Sequence, residues 1–150
     1  MKDVEEFWKR FLEEKHLDEN TKYLEVFHFE VTEQGANQLL ALVLSGRKRA
    51  TASSLKAWEI EGKRPKVGDY SIVTDWEGKP NCVIRTTGIT ELPFKDMTYD
   101  ICKREGEDEC LETWQSNHRT FFAADAKELG YEFSEDMMVL FEDFEVIYRE

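Results

Sequence analysis

The sequence has 150 residues, a length typical of one domain. Hydrophobic residues make up 41% and charged residues 35%, a balance that supplies a core and a solvated surface and excludes a globally disordered chain. The formal net charge of -12 argues against broad, non-specific capture of nucleic-acid phosphates. We therefore expect a single domain over residues 1–150, with an N-terminal helical extension at about residues 1–22.

The N-terminal third of the sequence shows two helical patterns. Apolar residues recur at helical spacing over residues 3–15, which predicts an amphipathic helix. The aromatic-rich segment 23–31 has no clear period, so we assign it no structure. Thr32 is a typical N-cap for a second helix, which we expect to end near Ser45 with Gly46 as a left-handed C-cap.

The rest of the sequence alternates strand and helix signals. In chain order we predict a strand at 70–74, a hairpin turn at 77–80, a strand at 82–89, a short extended piece at 92–94, a short helix at 95–104, a helix at 111–129 ended by Gly130, and a closing strand at 139–148. Helices of unequal length, antiparallel hairpin signals and the lack of a Gly-rich βαβ turn indicate the α+β class. A small barrel with covering helices is one such architecture.

The sequence shows no signal for export or for a membrane. Asp3, Glu5 and Glu6 stand where a secretory signal is basic, and the longest apolar run, 39–44, is far shorter than the roughly 20 residues of a membrane span. The three cysteines lack a C-x-x-C pattern, which favours reduced thiols. The three histidines are scattered and give no support for a structural zinc. We expect a cytoplasmic protein without membrane contact, metal or cofactor.

The segment after the second predicted helix carries a Gly-x-Lys-x-x-Thr pattern formed by Gly46, Lys48 and Thr51. This pattern resembles the signature of ASCH domains. Further segments resemble a bacterial ASCH subfamily, and together with the signature they cover the chain from about Gln38 to Tyr148. These segments are residues 65–73, 82–87, 105–108, 111–114 and 133–137.

The resemblance implies a small PUA-like β-barrel whose cleft, beside the Gly-x-Lys turn, holds a nucleoside or RNA. Some members of the wider family hydrolyse the acetyl amide of N4-acetylcytidine with a Lys, a Thr and a Glu, and others are described as ribonucleases. Lys48 and Thr51 match the Lys and the Thr, and Glu107 is the best match for the Glu. Ser53 stands where the amidohydrolase branch has an Arg. Three neighbouring carboxylates are alternatives to Glu107: Glu105, Glu109 and Glu112.

Five residues are expected to contact the ligand. Arg47 belongs to the signature turn, and Ser53 occupies the position of the signature Arg. Trp76 lies at a predicted hairpin turn, where an exposed ring can stack on a base. Arg85 is a candidate phosphate contact. Ser134 is either a turn cap or a polar contact to the ligand.

Each of these features also has an ordinary structural interpretation. Lys48 follows a helix C-terminus, where a cation complements the helix dipole, and Thr51 is a β-branched residue that can begin a strand. The acidic stretch 105–109 is typical of a helix N-terminus. Trp114 lies on an apolar helical stripe, and His118 on the same stripe is interpreted as a core or boundary histidine.

Three functions are consistent with these residues. The first is a metal-free amidohydrolase acting on an N-acylated nucleoside, with Lys48 as base, Thr51 as nucleophile and Glu107 as acid. The second is a non-catalytic module that binds RNA in the same cleft. The third is a metal-assisted ribonuclease that uses the acidic stretch. The expected partner is a nucleoside or short RNA.

Overall fold

The computed structural model describes residues 2–30 and 32–150 of the chain. These residues form five α-helices and five strands, and two short 3-10 turns lie at Phe94–Asp96 and Lys103–Glu105. The helices are α1 (Lys2–Glu14), α2 (Glu33–Leu44), α3 (Leu55–Glu61), α4 (Tyr99–Cys102) and α5 (Leu111–Leu129). The strands are β1 (Glu25–Phe27), β2 (Ala50–Ser54), β3 (Tyr70–Thr74), β4 (Pro80–Pro93) and β5 (Met138–Arg149).

All five strands join one mixed sheet in the order β1-β3-β4-β5-β2. The β1 and β3 strands are parallel and every other pair is antiparallel. The long pairing of β4 with β5 shifts register between Val83 and Ile84 and again between Thr86 and Gly88. Because bulges bend a sheet, these shifts help to curl it into a half-barrel. The predicted α+β class is confirmed.

The helices cover the two faces of this half-barrel. Phe7 and Phe11 of α1 are buried against Ile72 and Val83 on one side. Three apolar clusters make up the buried core. The first joins α1 to β3 and β4, the second joins α4 and α5 to β2 and β5, and the third joins α2 and the segment around Phe29 to β3, β4 and β5.

Several predicted elements appear where their signals placed them. The hydroxyl of Thr32 accepts a hydrogen bond from the amide of Gly35 and caps α2, and Gly46 adopts a φ of 83° after the helix. Strand β3 has the predicted bounds. Helix α1 also follows its prediction, although Met1 of the expected N-terminal extension lies outside the described residues.

The differences concern short elements. Residues 25–27 of the unassigned segment 23–31 form β1, and Val31 lies outside the described residues. Helix α3 was not predicted, and strand β2 was anticipated only through Thr51 as a residue that can begin a strand. Strand β4 absorbs most of the extended piece at 92–94, and the helix expected at 95–104 contracts to the four residues of α4 between two 3-10 turns. In the part of the chain that the structure describes, every helix lacks the length or the apolar character that a membrane crossing requires.

Candidate active site

Two backbone segments meet at the start of β2. After Gly46 the amide of Lys48 returns to the carbonyl of Leu42, 3.0 Å away, and the chain then enters β2. The second segment is the acidic stretch, held by a hydrogen bond from the Arg49 amide to the carbonyl of Arg104 (3.2 Å). Gly106 has a φ of 72°, and a Cβ at this position would collide with the backbone of Arg47. The lack of a side chain therefore allows the two segments to touch.

The ammonium group of Lys48 is buried between these segments, and the residue is 2% exposed. Its Nζ lies 2.8 Å from the carbonyl oxygen of Ala50, 3.4 Å from Oε1 of Glu105 and 2.6 Å from Oε2 of Glu107. The Nζ also lies 5.2 Å from the ring centroid of Phe29. An ammonium group has three N–H donors, and each has an acceptor here.

The two glutamates that contact Lys48 differ in their surroundings. Glu105 is 2% exposed, and its Oε2 receives the indole N–H of Trp114 and faces Nε2 of His118 at 3.6 Å. Burial acts to raise the pKa of Glu105, but the Lys48 ammonium and His118 outweigh it and hold the pKa below its usual range. The side chain of Glu107 is 20% exposed, and burial raises its pKa above the ordinary value although Lys48 opposes the shift.

His118 completes the polar cluster. Its Nδ1 lies 2.8 Å from the carbonyl oxygen of Trp114, and its ring stacks on the Trp114 indole with 4.1 Å between centroids. Burial alone would lower the pKa of His118, but the contact with Glu105 raises it above the ordinary value. The sequence interpretation of His118 as a core or boundary histidine did not identify its contact with Glu105.

A cavity of about 370 Å³ opens beside these groups, between α2 and α5. Its volume lies within the range of about 300–1,000 Å³ that is usual for small-ligand sites. Polar and apolar side chains share the wall. The polar lining residues include Lys48, Thr51, Glu105, Glu107 and His118, and the apolar ones are Phe29, Leu39, Ala52, Phe121 and Ala124.

The wall of the cavity is strongly acidic. Lys48 and His118 are its basic residues, and the carboxylates that line it are Glu30, Glu105, Glu107, Asp108, Asp125 and Glu128. Such a surplus of negative charge disfavours a phosphate group and favours an uncharged or cationic ligand. A second cleft of about 390 Å³ adjoins the cavity, shares Glu107 and Asp108 with it, and is lined by Arg47.

The predicted catalytic residues Lys48, Thr51 and Glu107 all line the same cavity. Arg47 lies in the adjoining cleft. Glu105, which the sequence left as an alternative to Glu107, joins the cluster beside it.

The structure places four predicted ligand contacts elsewhere. Ser53 accepts the indole N–H of Trp58 at 2.8 Å and donates to a backbone carbonyl. Trp76 packs on the His28 ring, with 4.9 Å between centroids. The exposed Arg85 lies 3.9 Å from a glutamate on β5, and Ser134 is exposed in the turn before that strand.

The missed partners had a weak signal in the sequence. Trp114 and His118 are four residues apart and so share one face of a helix, a spacing that allows an indole and an imidazole to stack. Nothing in the sequence tied that face to Glu105. Over residues 2–30 and 32–150, no group of three or more His, Cys, Asp or Glu side chains has an arrangement that could hold a metal ion.

Comparison with known proteins gives a consistent result. The family model of the ASCH domain matches residues 25–148. A protein of the DUF984 family from Enterococcus faecalis V583 is 34% identical with a TM-score of 0.88, over 97% of this chain and 88% of that one. An ASCH domain from Lactobacillus crispatus JV V101 is 33% identical with a TM-score of 0.84, over 99% of this chain and 96% of that one.

A hypothetical protein of known structure that is 18% identical, with a TM-score of 0.53 over 82% of this chain and 97% of that one, shares the fold. Among curated proteins, none matches the chain. The ASCH structures that resemble this chain are PUA-like, in agreement with the curled half-barrel. The chain belongs to the ASCH domain family.

Proposed function

We propose that this protein is an amidohydrolase that removes an acyl group from the exocyclic amine of a nucleoside, with N4-acetylcytidine as the first candidate substrate. The observation that carries the proposal is that Lys48, Thr51 and Glu107 line one cavity of about 370 Å³. A nucleoside can enter a cavity of this size. The acidic wall favours a ligand without a phosphate.

The contacts of Lys48 define the first proton transfer. Because all three of its N–H groups have acceptors, Lys48 rests as an ammonium ion and cannot act as a base in that state. Glu107 lies 2.6 Å away and has a raised pKa, so it is placed to take this proton. Entry of the substrate covers the partly exposed carboxyl of Glu107, and loss of water there favours its neutral form.

The neutral amine of Lys48 can then accept the hydroxyl proton of Thr51 as its oxygen attacks the acyl carbon. The carbon–nitrogen bond breaks, Glu107 returns its proton to the departing amine, and an ester to Thr51 remains. Water hydrolyses this ester, releases the carboxylic acid and restores the hydroxyl. The steps that form the ester use side chains that line the cavity.

A second candidate function is binding of single-stranded RNA with one base in the cavity. Membership of a PUA-like family and the position of Arg47 in the adjoining cleft favour it. The carboxylates around the cavity oppose it, because the RNA backbone would pass close to them.

The test is turnover of N4-acetylcytidine by the purified chain, with cytidine followed by chromatography. The wild type should release cytidine in the presence of a chelator. Thr51→Val keeps the shape of the side chain without the hydroxyl and should lose at least about 100-fold in kcat. Thr87→Val, at an exposed position of β4, is the matched control and should retain full activity.

Two results would contradict the proposal. Full activity in Thr51→Val would exclude Thr51 as the nucleophile. Failure of the wild type to release cytidine would exclude N4-acetylcytidine as the substrate. Salt-dependent binding of single-stranded RNA would then support the second function.

A further inference from the structure

We propose that Glu105 is a positioning residue, a permanent anion that fixes Lys48 and a charged His118, and that Glu107 alone of the two glutamates exchanges a proton with Lys48. The part concerning Glu107 rests on the proposed amidohydrolase function. The part concerning Glu105 and His118 rests on the contacts of the cluster itself.

Three donors surround Glu105. Lys48 Nζ lies 3.4 Å from its Oε1, while the indole N–H of Trp114 and Nε2 of His118 both face its Oε2. A proton added to this carboxylate would point at one of these donors, and the loss of the charge would leave Lys48 with less compensation in a buried site. Glu105 therefore remains ionised.

The hydrogen bond at Nδ1 determines where the first proton lies on the His118 ring. The carbonyl oxygen of Trp114 can accept but not donate, so Nδ1 of His118 must carry a proton. Its Nε2 then faces a carboxylate oxygen at 3.6 Å, a favourable contact when Nε2 is protonated as well. The two contacts together favour the imidazolium ion, with one charge on His118.

Glu107 has a different environment. Its hydrogen bond in the cluster is to Lys48, and its partly exposed side chain lines the cavity. A proton on this carboxyl can face either the amine of Lys48 or a ligand. The division of roles between the glutamates follows from this difference: Glu105 is saturated with donors, and Glu107 is open to the ligand.

Charge balance determines the effect of removing Glu105. Lys48 and His118 carry two positive charges against Glu105 and Glu107, and the remaining ionisable residues on the cavity wall are the carboxylates Glu30, Asp108, Asp125 and Glu128. Without Glu105, the buried His118 ring loses the carboxylate that its Nε2 faces, and burial favours the neutral ring. Its pKa should then fall.

The experiment is a pH titration of the histidine side chains by nitrogen-detected NMR, which reports the tautomer and the pKa of each ring. His118 is assigned from its loss in His118→Asn, and the exposed His16 and His28 serve as internal references. In the wild type, His118 should titrate above the ordinary value of about 6.5 and keep its Nδ1 proton in the neutral form. Glu105→Gln should lower the pKa of His118 by more than about one unit, and Glu107→Gln by clearly less.

The titration of the wild type decides the role of Glu105 even if Glu105→Gln does not fold. A His118 that titrates at or below the ordinary value, or whose neutral form carries its proton on Nε2, overturns the proposal. A pKa that is unchanged in a folded Glu105→Gln protein overturns it too.

Turnover separates this proposal from the proposed function. If N4-acetylcytidine is hydrolysed, Glu107→Gln should lose at least about 100-fold in kcat, and Glu105→Gln should lose less with little change in KM. Full turnover in Glu107→Gln refutes the assigned roles. Absence of turnover in the wild type, together with the expected titration of His118, refutes the hydrolase and leaves the positioning role of Glu105 supported.

Discussion

Thr51 of β2 lies directly opposite Glu142 of β5, so both side chains emerge on the same face of the sheet. Glu142 is 9% exposed and accepts a hydrogen bond from the hydroxyl of Thr86 at 3.2 Å. Burial raises the pKa of Glu142 from 4.5 to about 7. The strand that carries the proposed nucleophile is therefore paired with a carboxyl group that is protonated at weakly acidic pH.

This carboxyl group should make the stability of the protein depend on pH. The folded state binds the proton more tightly than the unfolded state, so the contribution of Glu142 is complete below pH 4.5 and is lost as the pH rises through about 7. A shift of this size corresponds to about 3 kcal/mol, of which relaxation of the site will remove a part. Glu25, whose pKa burial also raises to about 7, should add to the same trend.

The prediction is checked with Glu142→Gln, which keeps an acceptor for Thr86 and removes the titration. In urea unfolding, this variant should resemble the wild type near pH 5 and be more stable at pH 8 by about 1–3 kcal/mol. Glu145→Gln, on the exposed side of the same strand, is the control and should follow the wild type at both values. Equal pH dependence in Glu142→Gln and the wild type would contradict the assignment.

Gly106 should be intolerant of a side chain for two reasons that can be separated. Its φ of 72° is unfavourable for alanine, and a Cβ would collide with the backbone of Arg47. Gly62 has almost the same φ, 73°, but no atom lies within 4 Å of its added Cβ. Gly62→Ala should therefore cost about 1 kcal/mol, while Gly106→Ala should cost more and also displace Glu105 and Glu107.

Urea unfolding measures the loss of stability in each variant, and turnover of N4-acetylcytidine measures the loss of activity. Gly62→Ala should keep its activity, and Gly106→Ala should lose activity even at temperatures where it remains folded. Equal losses of stability in the two variants would contradict the tight contact between Gly106 and the backbone of Arg47.

The acidic wall of the cavity predicts discrimination against phosphate. Cytidine should bind more tightly than its 5′-monophosphate in calorimetry at low salt, by about tenfold or more, and the difference should shrink as salt screens the carboxylates. Glu30→Gln combined with Glu128→Gln should reduce the discrimination, because both residues line the cavity. Glu132→Gln, an exposed change that does not touch the cavity wall, is the control. Tighter binding of the monophosphate would instead favour an anion contact at Arg47.

Local signals explain which elements were predictable. Thr32 and Gly46 delimit α2 because capping depends on residues within a few positions of the helix end. Helix α3 escaped prediction because it starts directly after β2, without the polar interval that usually separates elements. Its cap, Ser54, is also the last residue of that strand.

The sequence predicted the part of the candidate site that belongs to one contiguous motif. Lys48 and Thr51 belong to a contiguous signature, whereas Glu105 is 57 residues away from Lys48 and reaches it through the tertiary fold. The same limit applies to His118, because the charge proposed for it depends on Glu105 facing Nε2 and on the Trp114 carbonyl facing Nδ1. Sequence spacing indicated that His118 and Trp114 share one face of a helix, but it could not indicate which residues pack against that face.

Helix α1 lies before residue 25, where the match to the ASCH family model begins. Nevertheless Phe7 and Phe11 are 1% and 0% exposed, and they cover Ile72 and Val83 in the middle of the sheet. A chain trimmed to residues 25–148 would leave this apolar surface exposed to water and prone to self-association. The unit of folding thus extends beyond the residues that the family model matches, and a transfer of this domain into another protein would have to include the helix.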